Sequence, residues 1–251
     1  MSFAHLDLRY RDDRRIGFLT LNRPKKHNAL SLALLRELVA ACKELNHEPD
    51  LRVVIIRGAG DKAFSAGFDL GDLASGDPSG AQLGFDATEA IARLRAVTIA
   101  AIQGHCIGGG VVLASACDLR IAAASTRFSV PEIDVGIPLA WSGLPRLVRD
   151  LGAAITNELV MTGRSFTAAE AHAWRFVNDV VGDESLHDAA LELAETIARK
   201  PRLGVLATKQ QVRIASENLV STAASDMDRT LIAAAGADAE SRATMRAYLN
   251  L

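Results

Sequence analysis

IQGHCIGGGVVLASACDLRIA, residues 102–122, is the stretch whose reading decides the fold. It continues the apolar strand Thr98–Ile102, passes Gly104, meets three consecutive glycines at Gly108, Gly109 and Gly110, and runs apolar to Ala116. A further apolar segment follows at Leu119–Ala122. A continuous aliphatic run, then glycine, then an apolar helical stretch reads as a buried parallel strand, a tight loop and a helix. Glycines at a helix start leave amide N–H groups without intrahelical acceptors, and these groups favour negative charge. Taken alone, the triglycine is explained at least as well by a tight turn and close helix-to-strand packing, since short glycine motifs often match by accident.

The same pattern occurs upstream. Val53–Ile56 (VVII) ends in the turn Gly58-Ala59-Gly60-Asp61 and runs into Ala63-Phe64-Ser65-Ala66-Gly67-Phe68-Asp69. Loops at the ends of neighbouring strands share one crevice. One amide from each loop could hold a carbonyl oxygen as it becomes an enolate, a contribution of about 3 to 4 kcal/mol per donor in comparable sites. Further out, Leu6–Tyr10 and Ile16–Leu21 are predicted strands. Ser31–Leu45 is a predicted helix with Leu35, Leu38, Cys42 and Leu45 on one face. Leu73–Gly84, rich in Gly, Ser, Asp and Pro and without periodicity, reads as a mobile surface loop, and Ala87–Leu94 as a helix.

From about Trp141 the chain turns helical. Thr167-Ala168-Ala169-Glu170 is a capping-box pattern, Phe176–Val181 a strand, and Asp69 the expected cap of a short helix. Helices are predicted at Glu184–Arg199, Leu203–Ser216, Val220–Ala235 and Ala237–Tyr248. The last of these are too apolar for free tails and should pack on the core or on another subunit. The fold class is α/β, divided into a core over 1–190 and a helical region over 191–251.

With 28 Lys+Arg against 30 Asp+Glu, the charge balance gives nucleic acid no footprint to bind. Cys42, Cys106 and Cys117 have no paired or metal-ligand spacing, which fits reduced thiols in the cytoplasm and no metal. Met1–Arg15 has no apolar core of an export signal, and no stretch offers about 18 uninterrupted apolar residues, so neither secretion nor membrane spanning is expected.

Four segments in order and spacing resemble the enoyl-CoA hydratase/isomerase family, the crotonases: LNRPKKHNALS (21–31), AFSAGFDL (63–70), residues 102–122 quoted above, and FSVPEIDVGIP (128–138). The similarity continues through Gly143–Leu147, Met161-Thr162-Gly163 and Ala169–Val181. It implies a spiral of ββα units with a helical C-terminal part, assembled as trimers or dimers of trimers. It also implies an acyl-CoA thioester as substrate, with no cofactor beyond the coenzyme A the substrate carries. Carried over by position, it puts the amides of Phe68 and Gly109 in an oxyanion hole, and Ala66, Lys25, Lys26 and His27 along the CoA adenine and phosphates. Lysines suit phosphates, although each of the three basic residues also reads singly as part of a solvated turn after Pro24.

Hydratases of this family use two glutamates. Here the first family position, three residues after the middle glycine, is Val112, while the second, after Pro131, is Glu132. A third acidic position, used by dienoyl-CoA isomerases, falls at Ala140. One glutamate opposite an apolar wall resembles the Δ3,Δ2-enoyl-CoA isomerases, where a single base takes a proton from C2 and returns it at C4. A desolvated carboxylate suits that task because burial raises its pKa toward the working pH. Asp134 is a weaker substitute acid, and Asp118 resembles a fold-stabilising position. The acyl pocket is expected to involve Leu73–Gly84 and Ile137–Trp141.

Three other readings stay open: a hydratase of atypical acid–base pattern, a non-catalytic acyl-CoA binder, and a cysteine hydrolase. The last rests on Gly104-His105-Cys106-Ile107-Gly108, which looks like a nucleophile elbow with cysteine for serine, His172 or His187 supplying the base.

Overall fold

A computed structural model describes residues 3–222 and 226–249. In chain order the elements begin with β1 (Leu6–Tyr10), β2 (Ile16–Leu21), α1 (Leu32–His47), β3 (Val53–Gly58), β4 (Ala63–Ser65), α2 (Leu70–Ser75) and α3 (Ser79–Ala92). They continue with β5 (Val97–Ile102), β6 (His105–Ile107), α4 (Gly109–Ser115), β7 (Leu119–Ala123), β8 (Arg127–Ser129), a 3-10 turn (Pro131–Val135), α5 (Gly143–Leu151) and α6 (Ala153–Thr162). The rest is β9 (Phe166–Thr167), α7 (Ala168–Ala173), β10 (Asp179–Val181), α8 (Leu186–Ala198), α9 (Arg202–Leu219), α10 (Asp226–Ala237) and α11 (Ala239–Leu249).

Two sheets organise the chain. The larger runs β1-β2-β3-β5-β7-β10, parallel except for the β1–β2 hairpin, and the smaller runs β4-β6-β8-β9 with β4, β6 and β8 parallel. Each of β3-β4, β5-β6 and β7-β8 therefore gives one strand to each sheet before a helix or helical turn, which is the expected spiral of ββα units. The central strands are apolar on both faces. Val54, Ile56, Ala100 and Ile102 face the main core with α1 and α4. Val53, Ile55, Ile99 and Ala101 face a second core closed by Leu186, Ala190, Ala194 and Ala198 of α8. Residue 190 lies within this helix, so α8 covers the sheet and the purely helical region follows it.

Most predicted elements stand, and the exceptions have physical reasons. Leu73–Gly84 is not a loop: α2 ends at Ser75 and α3 begins at Ser79. Gly80 and Gly84 lie in α3 because aromatic rings pack against them. A methyl at Gly84 would sit 1.9 Å from Trp141 Cε2, and one at Gly80 2.9 Å from Phe68 Cζ. The two chemistry-bearing loops do not follow β3 and β5 directly. A short second strand intervenes in each, β4 and β6, with three residues apiece and too short to show periodicity. The strand expected over Phe176–Val181 shrinks to Asp179–Val181, with Phe176 buried among Phe128 and Phe166. Val220–Thr222 are not helical and α10 starts at Asp226, the first part of the helix expected from Val220 lying in 223–225, outside the described residues. The capping box at Thr167 and Glu170 forms with both of its hydrogen bonds.

Candidate active site

Three adjacent parallel strands of the small sheet end at the same place. β4 leads to Ala66–Phe68, β6 to Gly108–Gly110 and β8 to Val130–Glu132.

The first loop is braced from the N-terminal segment. Fully buried Asn28 donates from Nδ2 to Ala59 O (3.0 Å) and Ala63 O (2.8 Å), and its Oδ1 accepts from Arg23 N (3.0 Å). Ser65 Oγ donates to Asn28 O (2.9 Å) and accepts from Gly67 N (3.2 Å). Leu30 N donates to Gly67 O (2.8 Å), and Asp69 N donates to Leu30 O (3.1 Å). In this parallel bridge the Phe68 N–H points away from Leu30, and it has no acceptor among the described residues. Asp69 caps α2 through Gly71 N (2.9 Å) and pairs with Arg23 (2.9 Å).

In the second loop Gly108 N donates to Ser129 O (2.8 Å), while Gly108 O accepts from Val111 N and Val112 N. The Gly109 N–H opens α4 and is likewise without an acceptor among the described residues. The two loops touch: a methyl on Gly67 would lie 2.9 Å from Ile107 O and 3.6 Å from the Gly109 nitrogen.

The third strand leads through Val130 to Pro131, whose fixed φ starts the 3-10 turn that presents Glu132. The carboxylate comes to the triglycine. A methyl on Gly108, where φ is +51°, would lie 2.4 Å from Glu132 Oε1. Part of the Glu132 residue reaches solvent, but Oε2 is buried with no hydrogen-bond partner. Burial of the carboxyl, only partly offset by a backbone hydrogen bond, raises its pKa from 4.5 to about 7.

Phe68, Gly109 and Glu132 are thus brought together. Ala66, Lys25, Lys26 and His27 form a second group beside them: Ala66 N donates to His27 O (2.9 Å), and the three basic residues are exposed. Val112 is fully buried against Leu139 and Gly143, since a methyl on Gly143 would meet Val112 Cγ2 at 2.8 Å. Asp134 turns to the surface beside Gly163, not into the site. Asp118 is a structural brace, accepting from Thr98 N (2.7 Å) and Oγ1 (3.0 Å) and pairing with Lys209 (2.7 Å). Cys106 is sealed in the main core, and burial pushes its thiol well above the ordinary range, while His172 and His187 are exposed. The nucleophile-elbow reading therefore lacks a thiolate. Among the described residues no group of three or more His, Cys, Asp or Glu is placed to hold a metal ion, and no helix is long and apolar enough to cross a membrane.

The sequence reading placed Ile137–Trp141 in the acyl pocket without assigning a role to any one of those residues. The Trp141 indole packs on Gly109, where a methyl would meet Cζ3 at 2.4 Å, and stands perpendicular to the Phe68 ring at 5.8 Å. Gly80 and Gly84, four apart on one helix face, were the available signal that a large side chain docks there.

Fold and site together define a crotonase-fold enzyme. The sequence profile of the family described as Enoyl-CoA hydratase/isomerase matches residues 11–250. A probable enoyl-CoA hydratase of Mycobacterium tuberculosis, echA8, is 38% identical over 212 residues, covering 83% of this chain and 82% of its own. Among solved structures, an enoyl-CoA hydratase from Bacillus anthracis superposes with a TM-score of 0.79 at 34% identity, covering 86% of this chain and 88% of its own. A monofunctional enoyl-CoA isomerase from M. smegmatis superposes at 0.73 with 31% identity, covering 85% and 94%. The chain belongs to the enoyl-CoA hydratase/isomerase family and is an enzyme of the crotonase type.

Proposed function

We propose that the protein is a single-base Δ3,Δ2-enoyl-CoA isomerase. The observation that carries this reading is the lone Glu132 carboxylate against Gly108, with a buried, unpartnered Oε2 and a pKa of about 7. The amides of Phe68 and Gly109 hold the thioester oxygen. Glu132 takes the C2 proton, the electron pair delocalises onto the thioester oxygen as a dienolate, and the same carboxyl returns the proton to C4 as the double bond moves to C2–C3. A base near neutral pKa matches both halves of this transfer. Val112 and Ala140 stand where second acids act in other family members, and neither exchanges a proton. Buried Val112 also favours a dry site, which disfavours hydration.

Lys25, Lys26 and His27, with Ala66, would receive the CoA phosphates and adenine, and no cofactor beyond substrate CoA is needed. The Lys25→Ala, Lys26→Ala double variant is expected to raise KM with little change in kcat. We also assign a trimer or dimer of trimers in the cytoplasm. The reading is supported by Leu203 and Leu219 of α9, each 83% exposed, and by three buried free cysteines. The relative named as a probable hydratase favours a second reading, a hydratase of atypical acid–base pattern. Incubation with 3-enoyl-CoA and 2-enoyl-CoA in deuterated water, followed by mass spectrometry, separates the two: the isomerase interconverts them and adds no water, with label at C2 or C4 only where the Glu132 carboxyl exchanges its proton before returning it, whereas a hydratase forms the 3-hydroxyacyl-CoA.

A further inference from the structure

Trp141 is built into the site with unusual force. It is 7% exposed, and both it and Ser142 adopt left-handed backbone, at φ +63° and +56°. Two consecutive side-chain-bearing residues in that region are costly, and such strain persists only where the surroundings enforce it.

Here they do, from two directions. On α3, Trp141 Nε1 donates to Gly80 O (3.2 Å), and the Thr88 hydroxyl, whose nearer acceptors are Gly84 O and Phe85 O (3.0 Å each), packs 3.3 Å from Trp141 O. From the C-terminal region, Asp228 Oδ2 accepts from Ser142 N (2.9 Å) and Thr222 O accepts from Ser142 Oγ (3.2 Å). The indole then lies against three glycines on two helices, Gly80 and Gly84 of α3 and Gly109 of α4, and edge-on to Phe68. It spans both residues whose amides are free.

The neighbouring residue completes the picture. Glu132 Oε1 sits on Gly108 and Trp141 on Gly109, and consecutive Cα atoms are about 3.8 Å apart. The base and the indole are thus separated by about one residue along the same loop. A thioester oxygen held by the Phe68 and Gly109 amides therefore has the indole, packed on both of those residues, beside its acyl group. Truncating Trp141 would open space beside Gly84 and Gly109, where the indole occupies the room that a side chain would take.

Building on the isomerase reading, we propose that Trp141 is the specificity-determining floor of the acyl cavity, restricting the enzyme to short-chain acyl-CoA thioesters. The indole is fixed by its own hydrogen bond to Gly80 O and by the strained 141–142 turn that Asp228 holds, so it does not swing aside for longer chains.

The test compares kcat/KM for four-carbon and ten-carbon 3-enoyl-CoA in the wild type, Trp141→Phe and Trp141→Ala. The wild type is expected to prefer the four-carbon substrate by at least tenfold. Both variants should shift the ratio toward the ten-carbon substrate, Ala more than Phe, chiefly through a lower KM for the longer chain. Should Trp141→Ala fail to fold, Trp141→Phe, which retains an aromatic ring against the glycines, supplies the comparison. A wild type that handles ten carbons as well as four overturns the inference, as does an unchanged ratio in a folded variant. Calorimetric binding of saturated four-carbon and ten-carbon acyl-CoA separates this inference from the isomerase reading. Tighter binding of the short thioester, reversed in the variants, supports the floor even if no isomerisation occurs, and equal binding overturns it.

Discussion

Burial holds the Glu132 carboxyl at about 7 against an ordinary 4.5, and this one displacement has two measurable consequences of opposite kind. Activity needs the carboxylate, so kcat/KM should rise with pH through about 7. Stability moves the other way. The native state binds this proton more tightly than the unfolded chain, so the stability of the fold falls as pH rises from about 4.5 to about 7 and is level above. Glu132→Gln removes the charge at its source. We expect the variant to lose at least about 100-fold in turnover. Above pH 7.5 it should be more stable than the wild type by up to about 3 kcal/mol, the gain vanishing near pH 4.5. Urea denaturation at pH 4.5, 6 and 8 checks the sign. Glu132 and Val112 were legible in the sequence because they hold fixed offsets from Pro131 and Gly109. The stretch ending at Trp141 was legible as pocket, but nothing local to residues 137–141 says what the indole touches. It packs on glycines 32 and 57 positions upstream, Gly109 and Gly84, and donates to the carbonyl of Gly80, 61 positions upstream.

At the scale of elements, strands buried on both faces were readable from composition alone, as in β3 and β5, and the capping box marked the start of α7. What failed was the treatment of glycine as a breaker. Pro78, Gly80 and Gly84 suggested a loop, yet α3 runs from Ser79 because the small residues make room for Phe68 and Trp141. Tertiary packing overrode the local preference. Gly84→Ala tests this directly. Intrinsic propensity favours alanine in a helix by about 1 kcal/mol, but the new methyl would meet the indole at 1.9 Å. Overpacking should win, with a net loss of about 1 to 3 kcal/mol in thermal or chemical denaturation. A more stable variant would mean the ring is free to move. The three-residue strands β4, β6 and β8 escaped the sequence reading for a different reason: they are shorter than any hydrophobic period and exist by pairing with one another.

The molecule as a whole converges three ββα turns on one crevice and closes them from the C-terminal side. α9 has no buried residue of its own and is tied to the core by Lys209, which donates to Ala96 O (2.7 Å) and pairs with Asp118. Asp118→Ala strips both hydrogen bonds from Thr98 and leaves Lys209, 7% exposed at its side chain, without its carboxylate. A loss of about 3 kcal/mol is expected from uncompensated burial of that charge, read as a lower urea midpoint. Light scattering should give three or six copies per particle, since the exposed apolar residues of α9 remain to be covered. A monomer at micromolar concentration would contradict that assignment. The central claim concerns chemistry at the crevice, and one measurement addresses it most directly: incubation of the whole enzyme with 3-enoyl-CoA and with 2-enoyl-CoA in deuterated water, followed by mass spectrometry. The account predicts interconversion with no 3-hydroxyacyl-CoA, deuterium entering only in the turnovers where the Glu132 carboxyl exchanges its proton with solvent, and loss of interconversion in Glu132→Gln. Hydration of 2-enoyl-CoA at the rate of a two-glutamate enzyme would contradict it.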